Sequence, residues 1–108
     1  MLKVSNLEKN GRAVPNQFII ESYDEKGNNH HVVFQSYEST IADVDYENMT
    51  ITIYPDYDYS QTTIRNRNVF FADICMATLA TTKALEKAIK DGFADCGYIG
   101  KFAVVKAA

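Results

Sequence analysis

Apolar and polar residues alternate along the first half of this chain, and the period then changes. From Asn16 to Tyr23, Phe18, Ile20 and Ser22 fall on one side and Ile19, Glu21 and Tyr23 on the other. That is a strand pattern, with Pro15 at its start, where a missing N–H is tolerated. The polar, glycine-containing run Asp24-Glu25-Lys26-Gly27-Asn28-Asn29 reads as a hairpin loop, and His30 to Ser36 as the return strand. A second hairpin runs from Thr40 to Asp45, turns near Tyr46-Glu47-Asn48 and returns from Met49 to Tyr54. In its last strand Met49, Ile51 and Ile53 alternate with Thr50, Thr52 and Tyr54, the cleanest two-residue period in the chain.

After Pro55 the spacing becomes helical. Ser60 suits an N-cap, because its hydroxyl can accept from a free N–H of the first turn, and Asp58 lies where the positive helix end favours an acid. The spacing of Phe71, Ile74, Cys75 and Leu79 predicts a helix from about Gln61 to near Leu79. Thr81 or Thr82 caps a second helix, Lys83 to Asp91, with Leu85, Ala88 and Ile89 inward, Glu86 and Lys90 as an i,i+4 pair, and Gly92 at its C′ position. The tail from Tyr98 to Lys106 reads as a last edge strand, and the N-terminal dozen residues carry no clear period. These elements predict an α+β fold: an antiparallel sheet of two hairpins followed by two helices packed on one face, with a C-terminal edge strand.

At 108 residues, with 46% hydrophobic residues, seven Tyr and six Phe, the chain has the size and composition of one folded domain spanning 1–108. No stretch approaches the ~18 apolar residues of a spanning helix. Met1 to Asn10 carries Lys3, Glu8 and Lys9 and lacks a signal-peptide core. The sequon Asn48-Met49-Thr50 is therefore read as a chance match, and Cys75 and Cys96 as reduced thiols in a cytoplasm.

The formal net charge of -3 argues against a general nucleic-acid binder, and it conceals an uneven distribution. Residues 1–31 balance. Residues 32–64 contain no Lys or Arg and hold Glu38, Asp43, Asp45, Glu47, Asp56 and Asp58; residues 65–108 carry a mild positive excess.

Most candidate chemistry reduces to ordinary structure. His30 and His31 are adjacent on a strand, point to opposite faces and cannot easily chelate one metal. Cys75 falls on the apolar face of the expected helix, where a thiol behaves as a small hydrophobe. Asp95 beside Cys96 raises rather than lowers a thiol pKa. Asp56 and Asp58 are paired carboxylates of the kind glycosidases use, but 108 residues leave little room for a saccharide cleft. The five glycines form no phosphate-binding loop. No catalytic, cofactor-binding or metal-binding residues are expected. The acidic, aromatic middle is the better candidate: Glu38, Asp43, Asp45, Tyr46, Glu47, Asp56, Tyr57 and Asp58 read as a partner-binding surface, against the plainer reading of a solvated sheet face.

Three segments carry a resemblance. Phe34-Gln35-Ser36-Tyr37-Glu38-Ser39-Thr40-Ile41-Ala42, then Asp58-Tyr59-Ser60-Gln61-Thr62-Thr63, then Arg67-Asn68-Val69-Phe70-Phe71 resemble a family of small proteins of bacteriophages, prophages and mobile elements of Gram-positive bacteria. Its pattern is approximately FQSYxSxIA, DYSxTT and RNxF, and the resemblance covers roughly residues 16–93. A Tyr often precedes the Arg-Asn pair in that pattern, where this chain has Asn66. The resemblance implies an accessory gene of a mobile element, working in a bacterial cytoplasm. The shared residues also have a structural reading: Ser60, Thr62 and Thr63 satisfy a helix start, and Tyr37 and Tyr59 brace the loop against the sheet.

Three functions fit. The first is a non-catalytic inhibitor of a host protein, most concretely an anti-CRISPR or other anti-defence protein. Its acids would engage the nucleic-acid channel of a CRISPR effector or a similar complex by partial occlusion. The second is a small nucleic-acid-binding accessory factor acting through Arg65, Arg67, Lys83, Lys87, Lys90 and Lys101. The third is a structural phage protein that forms homo-oligomers through its sheet edge. None of the three needs a cofactor or a membrane.

Overall fold

The computed structural model describes residues 1–108, the side chain of Asn29 apart. Seven strands form one sheet: β1 (Leu2–Lys9), β2 (Arg12–Tyr23), β3 (Asn29–Ser36), β4 (Ser39–Asp45), β5 (Thr50–Ile53), β6 (Phe93–Asp95) and β7 (Lys101–Lys106). Two helices, α1 (Gln61–Asp73) and α2 (Thr82–Asp91), lie between β5 and β6 in the chain. The strand order is β1-β2-β3-β4-β5-β7-β6, and every pairing is antiparallel except β5 with β7. The protein is thus an α+β fold with a larger, mixed sheet in place of two antiparallel hairpins. Among the described residues no helix is long and apolar enough to cross a membrane.

The register shows why the alternation was readable. Val32, Val44, Ile51 and Val104 are successive cross-strand partners, all buried, so they form one row across four strands. Helix α1 lies over this face, with Phe70 stacked on Phe34 at 5.4 Å between ring centroids. Helix α2 packs against β6 and β7. The opposite face has no helix over it, and carries Leu2, Val4, Phe93 and Val105 exposed.

Several expectations are corrected. The N-terminal residues form β1, an edge strand paired only with β2. Strand β2 begins at Arg12, so Pro15 lies within it; Asn6 pairs with Phe18 and Glu8 with Ala13, leaving Leu7 opposite residues 14–17. The proline sits in that bulge, where it removes no ladder bond, and Asn16 beside it has φ 61°.

Helix α1 stops six residues before Leu79, in a motif that the spacing disguised. Cys75 takes φ 63°, with its N–H bonded to the Ala72 carbonyl and the next N–H, of Met76, bonded to the Phe71 carbonyl. This pair of bonds is the Schellman end, with a cysteine where glycine is usual. Cys75 is consequently exposed, whereas Cys96 is buried. Ile74 and Leu79 still reach the core, because a short 3-10 turn, Ala77–Leu79, leads the chain back over it.

The expected caps are in place: the Ser60 hydroxyl accepts from the Thr63 N–H at 3.1 Å, and the Thr81 hydroxyl accepts from the Ala84 N–H. Gly92 follows α2 with φ 80°. The helical ion pair is Lys87 with Asp91, while Glu86 accepts from the Tyr57 hydroxyl instead of pairing with Lys90. Finally, β7 is no edge strand. It is inserted between β5 and β6, and β6 forms the edge.

Candidate functional site

A groove of about 530 Å³ opens at one end of the sheet, within the size range of ligand sites. It is lined by Ser36, Tyr37, Glu38, Ser39 and Ile41 of the β3–β4 hairpin, Asp56 and Tyr59 around a 3-10 turn, and Ser60 and Thr63 at the start of α1. Pro55 at the first position of that turn fixes its φ and lets the chain fold back from β5 into α1.

The hairpin turn is strained. Tyr37 has φ 53° at the first residue of a two-residue turn, where glycine is favoured. A non-glycine residue there costs roughly 1–2 kcal/mol. Two bonds hold it: the Tyr37 N–H donates to the Asn16 carbonyl at 2.7 Å, and Gln35 Nε2 donates to the Tyr37 carbonyl at 2.7 Å. The tyrosine ring gains little burial in return, being 58% exposed; Tyr59 is 80% exposed. The two rings therefore do not brace the loop against the sheet, as their place in the shared motif suggested.

The groove's chemistry is hydroxyl and carboxylate. The Ser39 hydroxyl donates to Asp56 Oδ2 at 2.9 Å, which orients that carboxylate. Glu38 and Asp56 are the charged side chains lining the space, and no lysine or arginine lines it. Beside the groove, Gln17 is the cross-strand partner of Ser36 on the same face. It is 1% exposed, and both polar atoms of its amide lack a protein partner. Such a group is unusual enough to require a reason.

Behind the groove lies Arg67, wholly buried. Its Nη1 donates to the Tyr57 carbonyl at 2.8 Å, and its Nη2 to Thr82 Oγ1 at 2.7 Å and Asn68 Oδ1 at 3.1 Å. The guanidinium also lies 5.7 Å from the Tyr57 ring centroid. Burial pushes its pKa down, against the pull of Tyr57, Asp58 and Glu86. The arginine of the third shared segment thus ties the 3-10 turn to the start of α2. It is not available to nucleic acid, contrary to its place in the basic set expected from the sequence.

The remaining candidates do not share one surface. Glu38 and Asp56 meet at the groove, and Asp58 closes the same 3-10 turn. Tyr57 is buried, with its hydroxyl bonded to Glu86 at 3.0 Å, so it is a core residue and not a contact residue. Asp43 and Asp45 lie mid-sheet on the open face, either side of His31: Nδ1 is 2.8 Å from Asp43 and Nε2 is 3.6 Å from Asp45. The hydrogen bond to Asp43 raises the His31 pKa against its partial burial. Asp45 is further engaged by the N–H groups of Glu47 and Asn48.

Tyr46 and Glu47 sit at the far end of β4, about 20 Å from the groove at the usual strand rise. There Tyr46 packs edge-on to Phe102, and Glu47 bonds His30 at 2.5 Å, which also faces Asp24 across 3.4 Å. The sequence signal that could have singled out the groove was the pair of hydroxyl-rich segments 36–39 and 58–63, whose polar residues converge there.

No curated protein and no solved structure matches the chain. One family model does, over residues 2–91, which takes in the groove, both helices and β1–β5. On that match the chain belongs to a family of unknown function, DUF8033.

Proposed function

We propose that this protein acts without catalysis, as a small binding module whose groove engages a basic surface of a protein partner. One observation carries the reading. The first two shared segments meet at a single groove with two exposed tyrosines, two carboxylates and no basic side chain. Exposed tyrosines supply rigid contact area at small entropic cost, and they are frequent centres of interfaces. The negative charge steers and orients a basic partner.

The proposal keeps the expectation of a mobile-element inhibitor that works in a bacterial cytoplasm on a nucleic-acid-handling host complex, and it changes the contact. The acids lie in two separate places, Glu38, Asp56 and Asp58 at the groove and Asp43, Asp45 and Glu47 around the two histidines, so local occlusion at the groove accounts for inhibition better than imitation of a phosphate backbone. The nucleic-acid-binding alternative loses support from the burial of Arg67 and from the pairing of Lys87 with Asp91.

The test is site-specific photocrosslinking. A crosslinking residue replaces Tyr59 in one variant and Thr52, on the open face, in another, and each is exposed to a lysate of a Gram-positive host. The reading requires one host protein crosslinked from position 59, not from position 52, and released by competing nucleic acid. Crosslinks from position 52 alone, or to nucleic acid alone, sink it.

A further inference from the structure

The chemistry of the groove narrows what it holds. Its charged lining residues are Glu38 and Asp56. The start of α1 opposes them with about half a positive charge, and the Ser60 hydroxyl already occupies one of its N–H groups. Two full negative charges outweigh that half charge, so the favoured occupant is a cation.

Shape selects among cations. Tyr37 and Tyr59 are exposed and line one cavity, and a planar, weakly hydrated guanidinium, which can stack on aromatic rings, suits such a lining better than a compact, strongly hydrated ammonium ion. A guanidinium also carries five donors in a fixed fork. Acceptors surround the space: two carboxylates and the hydroxyls of Ser36, Ser39, Ser60 and Thr63.

Strain points the same way. Glycine would relieve the turn at position 37, and the exposed tyrosine recovers little by packing. A strained residue retained at a cavity wall has its reason in what the side chain presents.

We infer that the groove is a receptor for an arginine side chain of the partner protein. This inference rests on the protein-binding reading and narrows it. The guanidinium stacks against the tyrosine rings and donates to Glu38 and Asp56, while the remaining hydroxyls accept at its rim.

The experiment uses the full chain, labelled with ¹⁵N, and three probes: the acetylated, amidated peptide Gly-Arg-Gly and its lysine and citrulline counterparts. Citrulline keeps the shape of arginine and removes its charge. The arginine peptide is expected to shift the amide signals of Tyr37, Glu38, Ser39, Tyr59 and Ser60 in the millimolar range. The lysine peptide should bind several-fold more weakly, and the citrulline peptide not measurably. The double variant E38Q/D56N is expected to weaken arginine binding about tenfold or more, the scale of a lost charge-assisted contact. Tyr37→Gly, which keeps the fold, should weaken it as well, whereas D43N/D45N on the open face should leave it unchanged.

Equal binding of citrulline, shifts confined to other surfaces, or indifference to E38Q/D56N would overturn the inference. A partner crosslinked from position 59 together with a silent arginine titration would remove the arginine and leave the protein-binding reading standing. Absence of both would remove both.

Discussion

Replacing Arg67 separates two accounts of a buried charge. If its main work is to hold the Tyr57 carbonyl, Arg67→Met should be tolerated better than Arg67→Lys. Methionine fills much of the same volume and leaves three acceptors behind. Only the Tyr57 carbonyl sits on a buried residue; Thr82 and Asn68 are partly exposed and can turn to water. One unpaired buried carbonyl costs about 1–3 kcal/mol. Against this, removing the guanidinium recovers a desolvation penalty of several kcal/mol, which no carboxylate in salt-bridge contact with Arg67 offsets.

The two terms largely cancel, so the stability of the Met variant should stay within about 2 kcal/mol of wild type. Lysine keeps the penalty and gives up the fork that reaches Tyr57 and Thr82 together, so its loss should be about 3 kcal/mol or more. Urea unfolding followed by far-ultraviolet circular dichroism measures both, provided the denaturant slope is unchanged. Stability in the order wild type, Lys, Met would refute the reasoning, because it would mean that the charge itself stabilises the core. The groove offers a second readout: in Arg67→Met the amide signals of Asp56 to Ser60 should move, since the turn that carries them has lost its anchor.

Three smaller expectations follow from named contacts. Cys75→Gly relieves a left-handed residue at the end of α1 and should raise stability by about 1 kcal/mol, some 4 °C in a thermal melt, without affecting the groove. His31 is held above its ordinary 6.5, so its bond to Asp43 contributes fully below that value and is lost as pH rises through the higher folded one. The fall in stability between pH 6 and pH 8 should accordingly be larger in wild type than in His31→Gln; equal slopes would deny the bond a role. Gln17→Met removes a buried amide without partners and should stabilise the protein by about 1 kcal/mol in urea unfolding.

The sequence revealed those parts of the fold that depend on neighbours in the chain. The alternation from Met49 to Tyr54, the cap at Ser60 and the capped helix ending at Gly92 rest on contacts a few residues apart, and each is present. What was hidden depends on distant partners or on an unusual residue. Strand β1 mixes charged and apolar positions because one edge and much of one face are open. The end of α1 was masked because a cysteine occupies the place of glycine.

The parallel pairing of β5 with β7 has no local signature. Arg67 looked like a surface charge because nothing in its neighbourhood announces the carbonyl and hydroxyl that receive it. The acidic residues were visible as a group along the chain. Their separation was not: β4 carries Asp43 and Asp45 on its open face and delivers Ser39 and Glu47 to opposite ends.

The position of β7 also sets an order of events during synthesis. Strands β1 to β5 can pair as they emerge, each with the strand before it. The far side of β5 then stays bare while both helices and the short β6 are made, about fifty residues of chain. Its exposed N–H and C=O groups invite pairing with another chain over that interval. Only when residues 101–106 arrive does the slot between β5 and β6 fill, in parallel register and over a long loop closure. A growing chain of this protein therefore carries an unfinished edge until β7 emerges, and its yield in the cell should be more sensitive to chaperone supply than the stability of the finished sheet would suggest.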